Sequence, residues 1–388
     1  MLNVSSSVFT DVTLGSDNVV GIMSGSGQPL YVKPWGVGMQ QTSYEVLQQM
    51  SGSGTIASAS AHTLSVYGQS GQGWLLPNNH IVRQNFDETR LYFLNTDNDT
   101  GYTSAWTSGV SFRTSGVVLA RTGYMYCKNY KDGAGLQHFI KFDPANVRTS
   151  AAATTWIGGT EGNCSYYDNL AIGVDGNLYS VSNNTARKMV MKLDPLTDTV
   201  TFISASAITV GGARSYAVSH PDGKIYYANA GGAFGSYDPL TSTLTQISSN
   251  GLSSAVPNAM QPGPDGNIYC TTRNGGVRRI VITGSFAYQS LGGIGESIGG
   301  CFGADGKWYQ IPFWTPTKWA AFDIWKGTYV TGSYPMPTIR GGGAVLHPSG
   351  VIYSLGITNV NSFVKIYTYG VSSSYGYLKS PMQHVAGT

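Results

Sequence analysis

A short phrase recurs six times over the last two thirds of the chain: Thr122-Gly123-Tyr124-Met125-Tyr126, Asp175-Gly176-Asn177-Leu178-Tyr179, Asp222-Gly223-Lys224-Ile225-Tyr226, Asp265-Gly266-Asn267-Ile268-Tyr269, Asp305-Gly306-Lys307-Trp308-Tyr309 and Ser349-Gly350-Val351-Ile352-Tyr353. Successive glycines are 53, 47, 43, 40 and 44 residues apart, a period in the roughly 40 to 50 residue range of propeller blades. In each phrase a β-forming run meets a turn and leaves as a second β-forming run, as Tyr216-Ala217-Val218 and Ile225-Tyr226-Tyr227 do on either side of Asp222-Gly223. Glycine accepts positive φ without a Cβ clash, and Asp hydrogen-bonds the backbone just beyond it.

A second phrase follows at a regular distance: Lys141-Phe142-Asp143-Pro144, Lys192-Leu193-Asp194-Pro195 and Ser236-Tyr237-Asp238-Pro239, with a weaker Ala321-Phe322-Asp323-Ile324. It marks the end of a third strand, and Thr243-Leu244-Thr245-Gln246-Ile247 then alternates as a fourth. One period therefore encodes a four-stranded antiparallel blade that must stack radially to bury both faces. Small residues at Gly299-Gly300-Cys301 and Gly341-Gly342-Gly343-Ala344 suit strands crowded near the axis. The fold expected is all-β: a seven-bladed β-propeller, with six blades as the alternative count, preceded by an irregular N-terminal arm.

The segment from Trp74 to about Arg113 has the length of one more blade, with strands at 74–76, 90–94, 102–106 and 110–112, and it lacks the Asp-Gly turn. Tyr375-Gly376-Tyr377-Leu378 is expected to close or cover the ring. Residues 1–70 carry no copy of the repeat and too little apolar material for a core of their own. They read as a docking arm, with one short helix expected at 44–50, and residues 71–388 as the propeller.

Charged residues make up only 11% of the chain, against about 25% in an average soluble domain. Gly reaches 51 residues and Tyr 25, so solubility rests on Gly, Ser, Thr and Asn. Such a surface is common in extracellular β proteins and in virion tail and fibre proteins. A net charge of +3, evenly spread, argues against nucleic-acid binding. The first basic residue is Lys33, so no signal peptide is expected, and no apolar run has the length of a membrane span. Cys127 and Cys270 both follow the blade tyrosine and so occupy the same place in different blades, which makes isolated buried thiols the expectation.

Of the 20 acidic residues, the repeat phrases use eight: Asp175, Asp222, Asp265, Asp305, Asp143, Asp194, Asp238 and Asp323. His220 and His347 precede the turn as His-Pro-Asp-Gly and His-Pro-Ser-Gly, which makes them equivalent turn residues rather than a converging pair. Asn95-Thr96-Asp97-Asn98-Asp99-Thr100-Gly101 lacks the glycine and terminal acid of a calcium loop and reads as a hairpin turn. No catalytic set, metal site or cofactor is expected. Binding candidates come from the loops opposite the turns: Tyr130, Lys131, Asn183, Arg273 and Trp314. Arg214 and Arg340 stand near one mouth of the channel, together with Asp168, Asn258 and Glu296.

On these phrases the chain resembles β-propellers over roughly residues 115 to 370. Tyr237-Asp238-Pro239-Leu240-Thr241 is similar to the kelch repeat, and Pro221-Asp222-Gly223-Lys224-Ile225-Tyr226 to the lyase and lactonase propellers. Composition and the missing catalytic set together suggest a non-enzymatic structural and interaction protein of a virion, in a bacteriophage tail or adhesion apparatus. Its partners would be other virion subunits, reached through the arm, and a host surface glycan or protein. The alternatives are an extracellular or cell-surface carbohydrate-binding propeller and a propeller lyase or hydrolase of the virginiamycin B lyase kind.

Overall fold

A computed structural model of the chain describes the backbone of Phe9–Leu14, Val20–Ser24, Pro29–Val32 and Ala59–Thr63. Beyond these it describes residues 73–83, 91–103, 116–128, 139–145, 147, 154–157, 170–184, 187–204, 215–229, 233–248, 257–272, 276–282, 286–294, 297–303, 305–312, 318–333, 341–356 and 362–368. Among the described residues there are strands and turns and no helix.

Strands β1 (Phe9–Leu14), β2 (Val20–Ser24) and β3 (Pro29–Val32) form an antiparallel meander in the arm, where the sequence reading expected irregular chain. Strand β4 (Ala59–Thr63) belongs to the ring. Blade 1 is β5 (Gly73–Leu75), β6 (Ile81–Arg83), β7 (Tyr92–Asn95) and β8 (Thr100–Thr103). Blade 2 is β9 (Val117–Leu119), β10 (Met125–Lys128), β11 (Phe139–Phe142) and β12 (Thr154–Ile157). Blade 3 is β13 (Ala171–Ile172), β14 (Leu178–Asn184), β15 (Arg187–Asp194) and β16 (Thr199–Ser204). Blade 4 is β17 (Ser215–Ser219), β18 (Ile225–Asn229), β19 (Phe234–Asp238) and β20 (Thr243–Ser248). Blade 5 is β21 (Pro257–Pro262), β22 (Ile268–Thr272), β23 (Gly276–Val281) and β24 (Ala287–Gly292). Blade 6 is β25 (Ser297–Phe302), β26 (Trp308–Pro312), β27 (Lys318–Asp323) and β28 (Thr328–Ser333). Blade 7 has three consecutive strands, β29 (Gly341–Leu346), β30 (Val351–Gly356) and β31 (Ser362–Tyr367), and takes β4 as its fourth.

The chain is thus a seven-bladed propeller of four-stranded antiparallel blades, and its ring is closed by a strand that precedes blade 1. β4 pairs with β31 from Thr63 opposite Ser362 to Ala59 opposite Ile366. Five residues of the segment read as arm therefore complete a blade. The expected closing segment at 375–378 and the expected helix at 44–50 lie outside the described residues.

Blade 1 differs from its sequence reading. Its second strand is Ile81–Arg83, and Tyr92–Asn95 and Thr100–Thr103 are its third and fourth; the expected fourth strand at 110–112 lies outside the described residues. The first turn is present in disguise. Asn79 has φ of 66° where the other blades have Gly123, Gly176, Gly223, Gly266, Gly306 and Gly350 at 72° to 89°. Its N–H donates to the Leu76 carbonyl at 2.9 Å, as the Gly223 N–H does to His220 at 3.0 Å. Asn78 Oδ1 accepts the His80 N–H at 3.1 Å, the bond an aspartate makes elsewhere. Asparagine tolerates left-handed backbone, so Pro77-Asn78-Asn79-His80 is a seventh copy of the turn.

The core lies between blades, in seven clusters that occupy the seven seams. Side chains alternate across a strand, so consecutive residues serve different seams. Ile81 packs with Tyr353 and Phe363 of blade 7, while Val82 packs with Cys127 and Phe142 of blade 2. Trp308 and Tyr309 divide in the same way between blades 5 and 7. A Cβ on Gly300 would lie 2.6 Å from Trp308 Cζ2, which is why the crowded inner strand carries glycine there.

Candidate functional site

The turns after the first and third strands share one face of the ring, and the aspartates, tyrosines and histidines of the turns gather there. In blades 3 to 6 the turn aspartate holds the tyrosine four residues on. Tyr179, Tyr226, Tyr269 and Tyr309 donate from Oη to Asp175, Asp222, Asp265 and Asp305 Oδ2 at 2.6, 2.7, 2.8 and 2.9 Å. Oδ1 accepts the N–H two residues on, at 3.1 Å in Asn177 and Asn267, 3.0 Å in Lys224 and 3.2 Å in Lys307. Burial, then the aspartate, pushes the Tyr179, Tyr226 and Tyr269 phenols well up, so they remain donors.

Each carboxylate also has a cation or histidine. Lys192 lies 3.4 Å from Asp175, Arg279 3.3 Å from Asp265, and Lys307 3.3 Å from Asp305. Lys192 and Arg279 stand directly opposite the blade tyrosine on the third strand. Burial raises the Asp305 carboxyl against the pull of Lys307 and Tyr309. Burial also acts on Asp175 and Asp222, but hydrogen bonds outweigh it: the Asp175 carboxyl is lowered, chiefly by Tyr179, and Asp222 goes to about 2, chiefly by His220.

Blades 2 and 7 have Thr122 and Ser349 where these aspartates stand; their tyrosines lie in the seam with the next blade, as the other four do, and the nearby carboxylate comes from across it. Tyr126 Oη donates to Asp198 Oδ1 of blade 3 at 2.8 Å, and Lys141 Nζ reaches Asp198 Oδ2 at 2.8 Å. Across the seam between blades 7 and 1, Lys365 Nζ bonds Asp99 Oδ2 at 2.6 Å and lies 5.5 Å from the Tyr353 ring centroid. Burial and then the Asp99 charge push the Tyr353 phenol up. Asp99 and Asp198 occupy the same place, the left-handed residue of the second turn, with φ of 59° and 56°. Sequence reading missed this pairing. Its trace is an aspartate four residues beyond Asn95 or Asp194, in the blade that follows one without a first-turn aspartate.

At Nδ1 each of the two equivalent histidines accepts the N–H two residues on, from Asp222 at 3.2 Å and from Ser349 at 3.1 Å, and they differ in their other partners. His220 Nε2 lies 3.1 Å from the Gly266 carbonyl of blade 5, and Nδ1 lies 2.9 Å from Asp222 Oδ1. Across the seam from blade 7, Thr96 Oγ1 of blade 1 donates to the Asn79 carbonyl at 3.0 Å and so accepts from His347 Nε2–H at 3.2 Å. His347 Nδ1 then accepts from Ser349 N–H at 3.1 Å and Oγ–H at 2.7 Å. Burial drives the His347 pKa down to about 4, with the Asp97 charge opposing. Nearby, His80 Nδ1 meets Tyr102 Oη at 2.9 Å, and Nε2 lies 3.5 Å from Asp97.

This face is committed to holding turns and seams. Among the described residues no group of three His, Cys, Asp or Glu side chains is arranged to hold a metal ion. Cys127, Cys270 and Cys301 are buried and free, and burial raises their thiols, to about 12 in Cys270, which makes them poor nucleophiles. Asn95–Gly101 is a hairpin turn, with Asn95 paired to Thr100.

Of the expected binding residues, Tyr130, Lys131, Arg214, Arg273, Trp314 and Arg340 lie outside the described residues, as do Asp168 and Glu296. Asn183 is described by its backbone, which pairs with Lys188 in the β14–β15 hairpin. The backbone of Asn258 lies in β21.

No protein-family model and no curated protein matches the sequence. Solved structures do. Catalytically inactive virginiamycin B lyase from Staphylococcus aureus with quinupristin is 10% identical over 80% of this chain and 99% of its own, with a TM-score of 0.63. A fungal alcohol oxidase in complex with copper is 12% identical over 81% of this chain and 76% of its own, with a TM-score of 0.61. The WD40 propeller domain of Doa1 is 13% identical over 80% of this chain and 97% of its own, with a TM-score of 0.55. Identities this low show a common fold and nothing further.

Proposed function

We propose that this chain is a non-enzymatic docking platform, a structural component of a virion tail or adhesion apparatus that binds other virion subunits or a host surface. The observation that carries the reading is the use of the described acids, bases and histidines. Asp175, Asp222, Asp265 and Asp305 each hold a tyrosine and a backbone N–H, and Asp198 and Asp99 tie neighbouring blades together. A general acid or base needs a free side chain within reach of substrate, and these are bound to their own fold. The sparsely charged Gly, Ser, Thr and Tyr composition further supports a virion surface.

Mass spectrometry of purified particles from the source tests the assignment, with the chain expected in stoichiometric amounts. Particles without it, together with turnover of a lyase substrate by the purified chain, would replace this reading with the enzymatic one.

A further inference from the structure

The register of the arm sheet sorts its residues by chemistry. Val12 pairs with Ile22 and Ile22 with Leu30; Leu14 pairs with Val20 and Val20 with Val32. Directly paired residues share a face, as do residues two apart in one strand. One face of the sheet therefore carries Val12, Leu14, Val20, Ile22, Leu30 and Val32, all aliphatic. The other carries Asp11, Thr13, Gly21, Met23, Pro29 and Tyr31. A three-stranded sheet of this size needs an apolar partner over its aliphatic face to be stable.

We propose that this partner is a second copy of the chain, the two arm sheets packing aliphatic face to aliphatic face. At about 25 cal/mol per Å², a burial worth about 1.5 to 3 kcal/mol is roughly 60 to 120 Å² per aliphatic residue, so six on each copy give roughly 700 to 1,400 Å² for a symmetric pair, a range that reaches the roughly 1,200 Å² of a specific stable interface. A face without a charge or a hydrogen-bonding group is self-complementary, as an isologous contact requires. The ring offers no matching face among its described residues. Its apolar side chains fill the seven seams, and the exposed large ones are spread over four blades: Tyr124 in blade 2, Leu196 in blade 3, Leu240 in blade 4, and Trp325, Tyr329 and Val330 in the β27–β28 hairpin of blade 6, the last two adjacent on β28 and so on opposite faces. The arm joins the ring through β4, whose first residue Ala59 pairs with Ile366 at the turn-face end of β31. The 26 residues from 33 to 58 span up to about 90 Å when extended, so the sheet can reach a neighbour beyond its own ring.

Sedimentation velocity of the purified full-length chain tests this, independently of whether the chain belongs to a virion. The wild type should sediment as a dimer. Ile22→Asp should give the 41.3 kDa monomer with an unchanged propeller melting temperature, Ile22→Ala should weaken dimerisation at least tenfold, and Thr13→Asp, on the other face, should remain dimeric. A wild-type monomer, a stoichiometry other than two, or a dimer that survives Ile22→Asp overturns the proposal. So does an Ile22→Asp variant that melts earlier without a change in mass, because the propeller itself would then cover the face.

Discussion

Blades 3 to 6 are self-sufficient, whereas blades 2 and 7 borrow. Each of the four has a carboxylate for its own tyrosine, and each has four consecutive strands. Blade 2 relies on Asp198 of the next blade, and blade 7 on Asp99 of blade 1 and on β4 from the far end of the chain. Tyrosine and lysine recur in borrowing blades at the places they hold in a self-sufficient one: Tyr126 faces Lys141 and Tyr353 faces Lys365, just as Tyr179 faces Lys192. A buried phenol beside a buried ammonium requires a carboxylate within reach, and the chain can supply it from either side of a seam. A carboxylate from the same blade stabilises a blade, and one from the next blade also fastens the ring.

The largest expected effect comes from removing the borrowed strand. Deleting residues 1–58 should leave the propeller's melting temperature unchanged. Deleting 1–70 also removes β4 and should cost about 4 kcal/mol, at roughly 1 kcal/mol for each ladder hydrogen bond lost. Equal melting of the two truncations in calorimetry would show that blade 7 does not need its fourth strand.

The carboxylates give a sharper contrast. Asp198→Asn, which keeps a residue tolerant of left-handed backbone, and Asp175→Asn should each cost about 2 kcal/mol through the loss of charge-assisted bonds. Amide exchange should separate them. Protection should fall in blades 2 and 3 for Asp198→Asn and in blade 3 alone for Asp175→Asn; identical patterns would erase the distinction between own and borrowed partners.

The histidine turns extend the comparison to pH. The folded pKa of His347, about 4, lies below its ordinary 6.5, so the unfolded chain binds the extra proton in that window. The stabilisation is full above pH 6.5 and is lost as pH falls toward 4, a change of roughly 2 kcal/mol after allowance for partial exposure. Ser349→Asp gives blade 7 the His-Pro-Asp-Gly turn of blade 4, and the acid sensitivity between pH 6.5 and 4 should flatten. A melting profile as steep as wild type would separate His347 from the acid response.

The smallest expected difference lies between two self-sufficient blades. Gly223→Val should cost more than about 1 kcal/mol, because a β-branched residue is forced to positive φ. A Cβ there also meets Val174 Cγ1 of blade 3 at 3.2 Å, whereas at Gly266 nothing lies within 4 Å. Gly266→Val should therefore be the milder variant, and denaturant melts that rank them the other way would show that crowding at the seam is not felt.

The blade count and the alternation of strands were legible because turns are local chemistry. Asp222-Gly223 and Asp238-Pro239 announce themselves within four residues, and the strands between them follow from β-forming runs. Asn78-Asn79 was missed because asparagine here does the work of two residue types at once, accepting the His80 N–H and adopting positive φ. For the binding candidates, only the backbone of Asn183 and Asn258 falls within the described strands.

Local sequence encodes the repeated four-stranded blades and places Cys127 and Cys270 at one position of different blades, where each is buried and free. Only the tertiary structure decided how the ring is closed and who pairs with whom across its seams. Thr63 of β4 lies 299 residues from its partner Ser362 in β31, and Asp198 lies 72 residues from Tyr126. Such pairings depend on where closure brings two segments together rather than on any local preference, so no short stretch of sequence encodes them.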